Sequence, residues 1–130
     1  MMDKETLQVK ILFYIMLKSL EVISKIDENL QDELEDFDAR VQWKICDFKG
    51  YQIFEEGKIK GVIDAEIENP DVTMIMGDLD KVRELFTGGV DGTTAYMSGD
   101  LKMEGDMQIA MKMGMFTEFI TDYMQPLLER

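Results

Sequence analysis

Asn69 to Met113 reads NPDVTMIMGDLDKVRELFTGGVDGTTAYMSGDLKMEGDMQIAMKM, and this stretch decides the fold. Its patterning predicts strand, helix, glycine turn, strand, helix. In the first strand Val72, Met74 and Met76 share one face, and Thr73 and Ile75 the other. Pro70 stands at the strand start, where a missing N–H is tolerated. Asp78 is a good N-cap for a helix through Leu79, Val82, Leu85 and Phe86, which Gly88-Gly89 ends. A short turn at Thr93-Thr94 then leads into a second alternating run. Met97, Gly99, Leu101 and Met103 fall on one face; Ser98, Asp100, Lys102 and Glu104 fall on the other. Period-two alternation predicts a half-buried strand. Its inward face mixes methionine with a glycine that fills nothing. A core that packs itself solid prefers Leu, Ile and Val; an unbranched, adaptable Met suits a core that yields to an apolar guest.

Upstream, Lys4 to Ile26 is a breaker-free helical segment with Leu7, Ile11, Tyr14, Ile15, Leu20 and Ile23 at helical spacing. Phe13, Met16 and Leu17 widen the stripe, so cover is expected on more than one side. Core is the preferred cover, and a homodimer contact is the other. From Asp27 to Asp38 the chain is acidic, yet Ile26, Leu30, Leu34 and Phe37 recur on one helical face, which points to a solvated helix rather than an acidic tail. Strands follow. Val41, Trp43 and Ile45 alternate with Gln42 and Lys44, and Tyr51–Glu55 comes after Lys49-Gly50. Beyond Glu56-Gly57, Lys58–Glu68 sets Ile59, Gly61, Ile63, Ala65 and Ile67 on one side, where Gly61 and Ala65 leave the inner face small. Downstream, Asp106 caps a last helical region that Gly114 is expected to break. Its second piece aligns Phe116, Phe119, Ile120, Tyr123, Met124 and Leu127, with Pro126 fraying the end.

The length of 130 residues is read as one domain, able to bury a core without staples. Fourteen Lys and Arg against 27 Asp and Glu leave a net charge of -13. That argues against a nucleic-acid partner, whose phosphates need cations. It also argues against strong adsorption to anionic membranes, so membrane contact is expected to be transient at most. Cys46 is the only cysteine, which excludes an internal disulfide and suits a reducing compartment. Ile11–Leu17 is too short to span a bilayer, and the N-terminus lacks a signal peptide's charge pattern. The expected location is cytoplasmic.

The chain has no histidine, which removes Ser-His-Asp and Cys-His catalysis and histidine-ligated metal. The glycines at 88, 89 and 92 have no phosphate-loop lysine after them and serve better as helix stop and turn. Asp78-x-Asp80 and Asp91-Gly92 lack the ligand spacing of a calcium loop. No carboxylate pair is flagged by its surroundings. The expectation is a non-enzyme with no metal and no cofactor. What remains is a methionine set: Met74, Met76, Met97, Met103, Met107, Met111, Met113 and Met115. On the residues alone an ordinary adaptable core is the preferred explanation, and a surface for a partner helix is the alternative.

The segment resembles the sterol-carrier-protein-2 family of lipid-binding domains. The residues that carry the resemblance are the Asn69-Pro70-Asp71 strand, the short helix, Thr87-Gly88, and aromatic-x-x-Gly-x-Leu-Lys-x-x-Gly at Tyr96, Gly99, Leu101, Lys102 and Gly105. The pattern runs on into Asp106-Met107 and Ala110-Met111-Lys112; the first half of the chain fits in element order only. The resemblance implies an α+β fold, a five-stranded, mostly antiparallel sheet covered by helices that enclose an apolar tunnel. It implies an N-terminal helical layer (1–38), a sheet with inserted helices after the fourth and fifth strands (40–113), and a C-terminal helical lid (115–130). The implied function is non-enzymatic binding and transfer of a fatty acyl, sterol-like or isoprenoid lipid. The alternative is an accessory module in a lipid- or quinone-processing complex. Carried over to this chain, the tunnel wall falls to Met74, Met76, Met97, Gly99, Leu101, Met103, Met107, Met111 and Met115, and the lid to Phe116, Phe119 and Ile120. Some family members end in a peroxisomal address; Leu127-Leu128-Glu129-Arg130 is not one.

Overall fold

The computed structural model of the chain describes residues 2–128. Asp3 accepts from the Thr6 N–H and starts α1, Lys4–Ser24. Asp27 does the same for Leu30 at the head of α2, Glu28–Leu34. Then come β1 (Ala39–Ile45), β2 (Phe48–Glu55) and β3 (Lys58–Ile63) as two successive hairpins. The chain recrosses to β4 (Val72–Met76), and α3 (Leu79–Phe86), α4 (Gly92–Ser98), β5 (Lys102–Gly105) and α5 (Met107–Leu128) follow. The strand order is β3-β2-β1-β4-β5, antiparallel except for the β1–β4 pair. The α+β, mostly antiparallel five-stranded sheet is as expected.

Alternation decides which sheet face the helices cover. Val41, Trp43 and Ile45 of β1, Phe48 and Phe54 of β2, and Val72, Met74 and Met76 of β4 are buried beneath α1, α3 and α5. Two aromatic groups knit the layers: Phe13, Trp43, Phe48 and Phe86, and separately Phe37, Phe54 and Phe116. Gly61 does not leave room on the inner face. α1 comes so close there that a Cβ would stand 2.6 Å from the Leu17 carbonyl oxygen. Lys18 Nζ donates to the Gly61 carbonyl at 2.6 Å, and Glu21 accepts from the Gly61 N–H.

The crossing from β3 to β4 runs under the opposite face and is held by one buried side chain. Gln42 Nε2 donates to the carbonyls of Gly50 and Ala65, and its Oε1 accepts from the Ile67 N–H at 2.8 Å. Asp64 and Asn69 bend this segment at positive φ, so β3 ends at Ile63 and Ala65 and Ile67 do not continue it. Asp71 then clips the sheet: its N–H donates to Arg40 O and its carboxylate accepts from Arg40 N–H.

Four expectations are corrected. The run 97–104 is not one strand. Asp91 accepts from the Thr94 N–H and starts α4, and Gly99, at φ 86, stops it while the N–H groups of Asp100 and Leu101 return to the Ala95 carbonyl. α4 is thus a helix that the alternation hid; α3 after β4 and α5 after β5 stand as expected. Gly114 does not break α5, and the helix runs past Pro126. α1 is covered on one side only, since Leu7, Ile11 and Ile15 face outward.

Candidate functional site

The apolar layer between the sheet and α5 is the candidate site. β4 contributes Met74 and Met76, and α5 contributes Met113, Phe116 and Ile120, all buried. Leu101 is buried just before β5; Met103, Met115 and Phe119 are partly buried against the same core. The alternation of β4 and the three-to-four spacing on α5 aim these side chains at each other. Phe116 stacks on Phe54 with ring centroids 5.3 Å apart and meets Phe37 edge-on at 5.3 Å. Met97, Gly99, Met107 and Met111 do not join them. Met97 is 78% exposed on α4, a Cβ on Gly99 would meet nothing within 4 Å, and Met107 and Met111 lie on the outer side of α5. Residues 129 and 130 of the expected lid lie outside the described residues.

One polar pair lies on the same sheet face, next to Met74 in the β1–β4 register but beneath α1 and α3 rather than α5. Trp43 Nε1 donates to Gln52 Oε1 at 3.0 Å. Indole nitrogen only donates, so the carboxamide is oriented with its oxygen inward. Gln52 Nε2 is then a buried donor with no partner among the described residues. Such an orphan costs about 1–3 kcal/mol unless something accepts from it.

Beside the layer a cavity of about 210 Å³ opens between α5 and the 88–92 loop. Gly88, Gly92, Gly114, Thr117 and Thr121 line it with Leu85 and Val90, and Asp91, Glu118 and Asp122 add carboxylates. The glycines let backbone meet helix: a Cβ on Gly92 would stand 3.3 Å from the Gly114 Cα. The Thr94 amide holds the Asp91 carboxyl below the usual range, so it is ionised at neutral pH. In sequence Gly88 and Gly92 read only as helix stop and turn. The available signal was Gly114, Thr117 and Thr121 at helical spacing, a small-residue stripe that a loop can approach.

Around the site, Lys112 pairs with Glu33 at 2.7 Å and Tyr123 donates to Asp27 at 2.7 Å, fastening α5 to α2. Burial, with Asp47 and Asp78 nearby, pushes the Cys46 thiol up, away from the thiolate a nucleophile needs. Among the described residues no group of three or more Cys, Asp or Glu is placed to hold a metal ion, and no helix is long and apolar enough to cross a membrane.

Comparison with known proteins fits this arrangement. The sterol carrier protein domain 2 of Helicoverpa armigera is 27% identical, with a TM-score of 0.61 over 87% of this chain and 89% of that one. Palmitated SCP2L2 from Aedes aegypti shares the fold at 14% identity and a TM-score of 0.62, over 78% of this chain and 90% of that one. So does a UbiJ-SCP2 ubiquinone synthesis protein, at 15% identity and a TM-score of 0.58 over 92% and 96%. The sec-alkylsulfatase Pisa1 from Pseudomonas sp. contains a similar unit, 20% identical with a TM-score of 0.55; the match covers 68% of this chain but spans only 14% of that enzyme. No curated protein sequence matches. The profile of the SCP-2 sterol transfer family aligns with residues 20–118, from the end of α1 through the buried half of α5, and the chain belongs to that family.

Proposed function

We propose that this chain binds an apolar lipid between its sheet and α5 and carries it without chemical change. The observation that carries this is the make-up of that layer: three buried methionines, Met74, Met76 and Met113, meet there from both sides. Methionine has three rotatable side-chain bonds and can repack around a guest at lower cost than branched residues. The proposed wall is Met74, Met76, Leu101, Met103 and Met115, with Phe116, Phe119 and Ile120 on the helix that yields. Each methylene taken from water contributes about 0.8 kcal/mol, so about ten of them offer roughly 8 kcal/mol, a micromolar affinity. Specificity is then loose for the chain and set by its polar end. Gln52 Nε2 is the donor available to an oxygen on the lipid.

A second reading, an accessory module within a lipid- or quinone-processing complex, is favoured by one feature. The same layer is filled by its own side chains, with Phe54, Met74, Met76, Met113 and Phe116 at most 2% exposed. The similarity to a ubiquinone synthesis protein points the same way.

Trp43 separates the two. It is the only tryptophan and pairs with Met74 across the β1–β4 register. Palmitate titrated into protein purified without detergent should change its emission with micromolar saturation, and native mass spectrometry should show a one-to-one adduct. Unchanged emission and no adduct would reject the carrier in favour of the accessory module.

A further inference from the structure

Among the described residues, nothing covers one face of α1. Leu7, Ile11, Ile15 and Val22 of α1, and Ile26 in the turn just beyond its C-cap Lys25, are aliphatic, yet 40–75% exposed. They lie opposite Val9, Phe13, Met16, Leu17, Leu20 and Ile23, which pack on the sheet. Lys18 completes the outward row. Its ammonium donates to Gly61 O and sits 3.4 Å from Glu21, so the charge is drawn off the row toward β3 and the aliphatic stem remains. The row is therefore 7, 11, 15, 18, 22 and 26, with steps of four, four, three, four and four. The series is the same read from either end.

From that symmetry we infer that this face joins two copies of the chain, with their α1 helices antiparallel about a two-fold axis between Ile15 and Lys18. A two-fold interface must be self-complementary. In this register Leu7 faces Ile26 of the second copy, Ile11 faces Val22, and Ile15 faces the Lys18 stem. A row without palindromic spacing would leave apolar residues opposite polar ones.

Charge favours the same place. The chain carries -13 overall, which opposes association wherever carboxylates would meet. α1 and its two caps carry Lys4, Lys10, Lys18 and Lys25 against Asp3, Glu5 and Glu21. Glu5 is paired with Arg83 and Glu21 with Lys18. Along α1 the charges nearly balance, so two copies meet less repulsion there than across the acidic remainder of the chain.

The row is about 28 Å long at 1.5 Å per residue. Two such helices in contact, with their flanking stems, cover on the order of 1,000 Å² in total, the lower end for a specific interface. An interface of that size belongs with weak, reversible associations.

Sedimentation equilibrium over a protein concentration series tests this. The wild-type chain should dimerise, while Ile11→Lys and Val22→Glu should each weaken association at least about ten-fold. Both positions are half exposed, so unchanged thermal melting should show that the variants fold. An equimolar mixture should recover the dimer, because the two substituted positions face each other while the second Ile11–Val22 contact stays intact. A wild type that is monomeric throughout overturns the inference, as does a mixture that stays monomeric. A lipid surface is the competing cover. A monomeric wild type that floats with phosphatidylcholine–phosphatidylglycerol vesicles, and loses them in both variants, would assign the face to membrane and overturn the dimer.

Discussion

Phe116→Ala tests both the packing and the proposed site. The ring is fully buried, stacks on Phe54 at an interplanar angle of 14° and meets Phe37 at 68°. Removing a buried phenyl ring loses its transfer free energy and leaves a cavity, together about 3–5 kcal/mol. The two aromatic contacts account for about 0.5–1.5 kcal/mol each within that loss. Domains of this kind have about 5–15 kcal/mol in all, so the variant should fold but unfold early in urea. Trp43 emission and far-ultraviolet circular dichroism should report the same shifted transition. Palmitate then adds the functional arm. If an acyl chain enters this layer, the vacated ring volume eases its entry. At a hundred-fold excess over its dissociation constant, palmitate should restore about 2.7 kcal/mol. Wild type at the same concentration should gain less. A loss under about 1 kcal/mol would refute the packing argument. The full loss with no rescue by palmitate would refute the placement of the lipid.

Gln42→Leu should cost about 2–4 kcal/mol, because it strands the Ile67 N–H and three carbonyl contacts, and hydrogen exchange should rise over residues 64–71. Unchanged exchange there would show that the crossing is held by something else. Gly61→Ala should destabilise by about 1–3 kcal/mol in urea, because the obstacle is the Leu17 backbone, which cannot rotate away; an unchanged midpoint would mean that α1 lies farther from β3. The Asp27 carboxyl is held below its usual range, first by the Tyr123 hydroxyl and then by the Leu30 N–H. Its pKa is lower folded than unfolded, so its contribution is present above the ordinary Asp range and is lost as pH falls through the folded value. Tyr123→Phe should therefore flatten the melting temperature's decline below about pH 4, and an identical decline would discount the contact.

The sequence by itself determined most elements, because their periodicity is long enough to be unambiguous. α1 buries a residue or two at every turn, Val9, Phe13, Met16, Leu17, Leu20 and Ile23; β4 alternates Val72, Met74 and Met76, and Asp78 and Asp106 stand where helices start. It also set the chemistry that is absent from the chain, since no fold can supply a histidine. The run 97–104 failed because it is short: a few residues around Gly99 fit a strand's alternation as well as a helix end. The tie was settled by Gly99 adopting positive φ and by Ala95 packing inward. Tertiary structure alone decided what a small or flexible residue is for. Gly61 admits α1 and Gly92 admits α5, although in sequence one looked like an empty place on a wall and the other like a turn. It also sorted the methionines, placing 74, 76 and 113 inside and leaving 97, 107 and 111 exposed. On α1 it chose which apolar stripe meets the sheet and which is left for another surface. The reason is physical: periodicity is a property of one segment, whereas burial belongs to a pair of surfaces, and the second surface is brought there by distant parts of the chain.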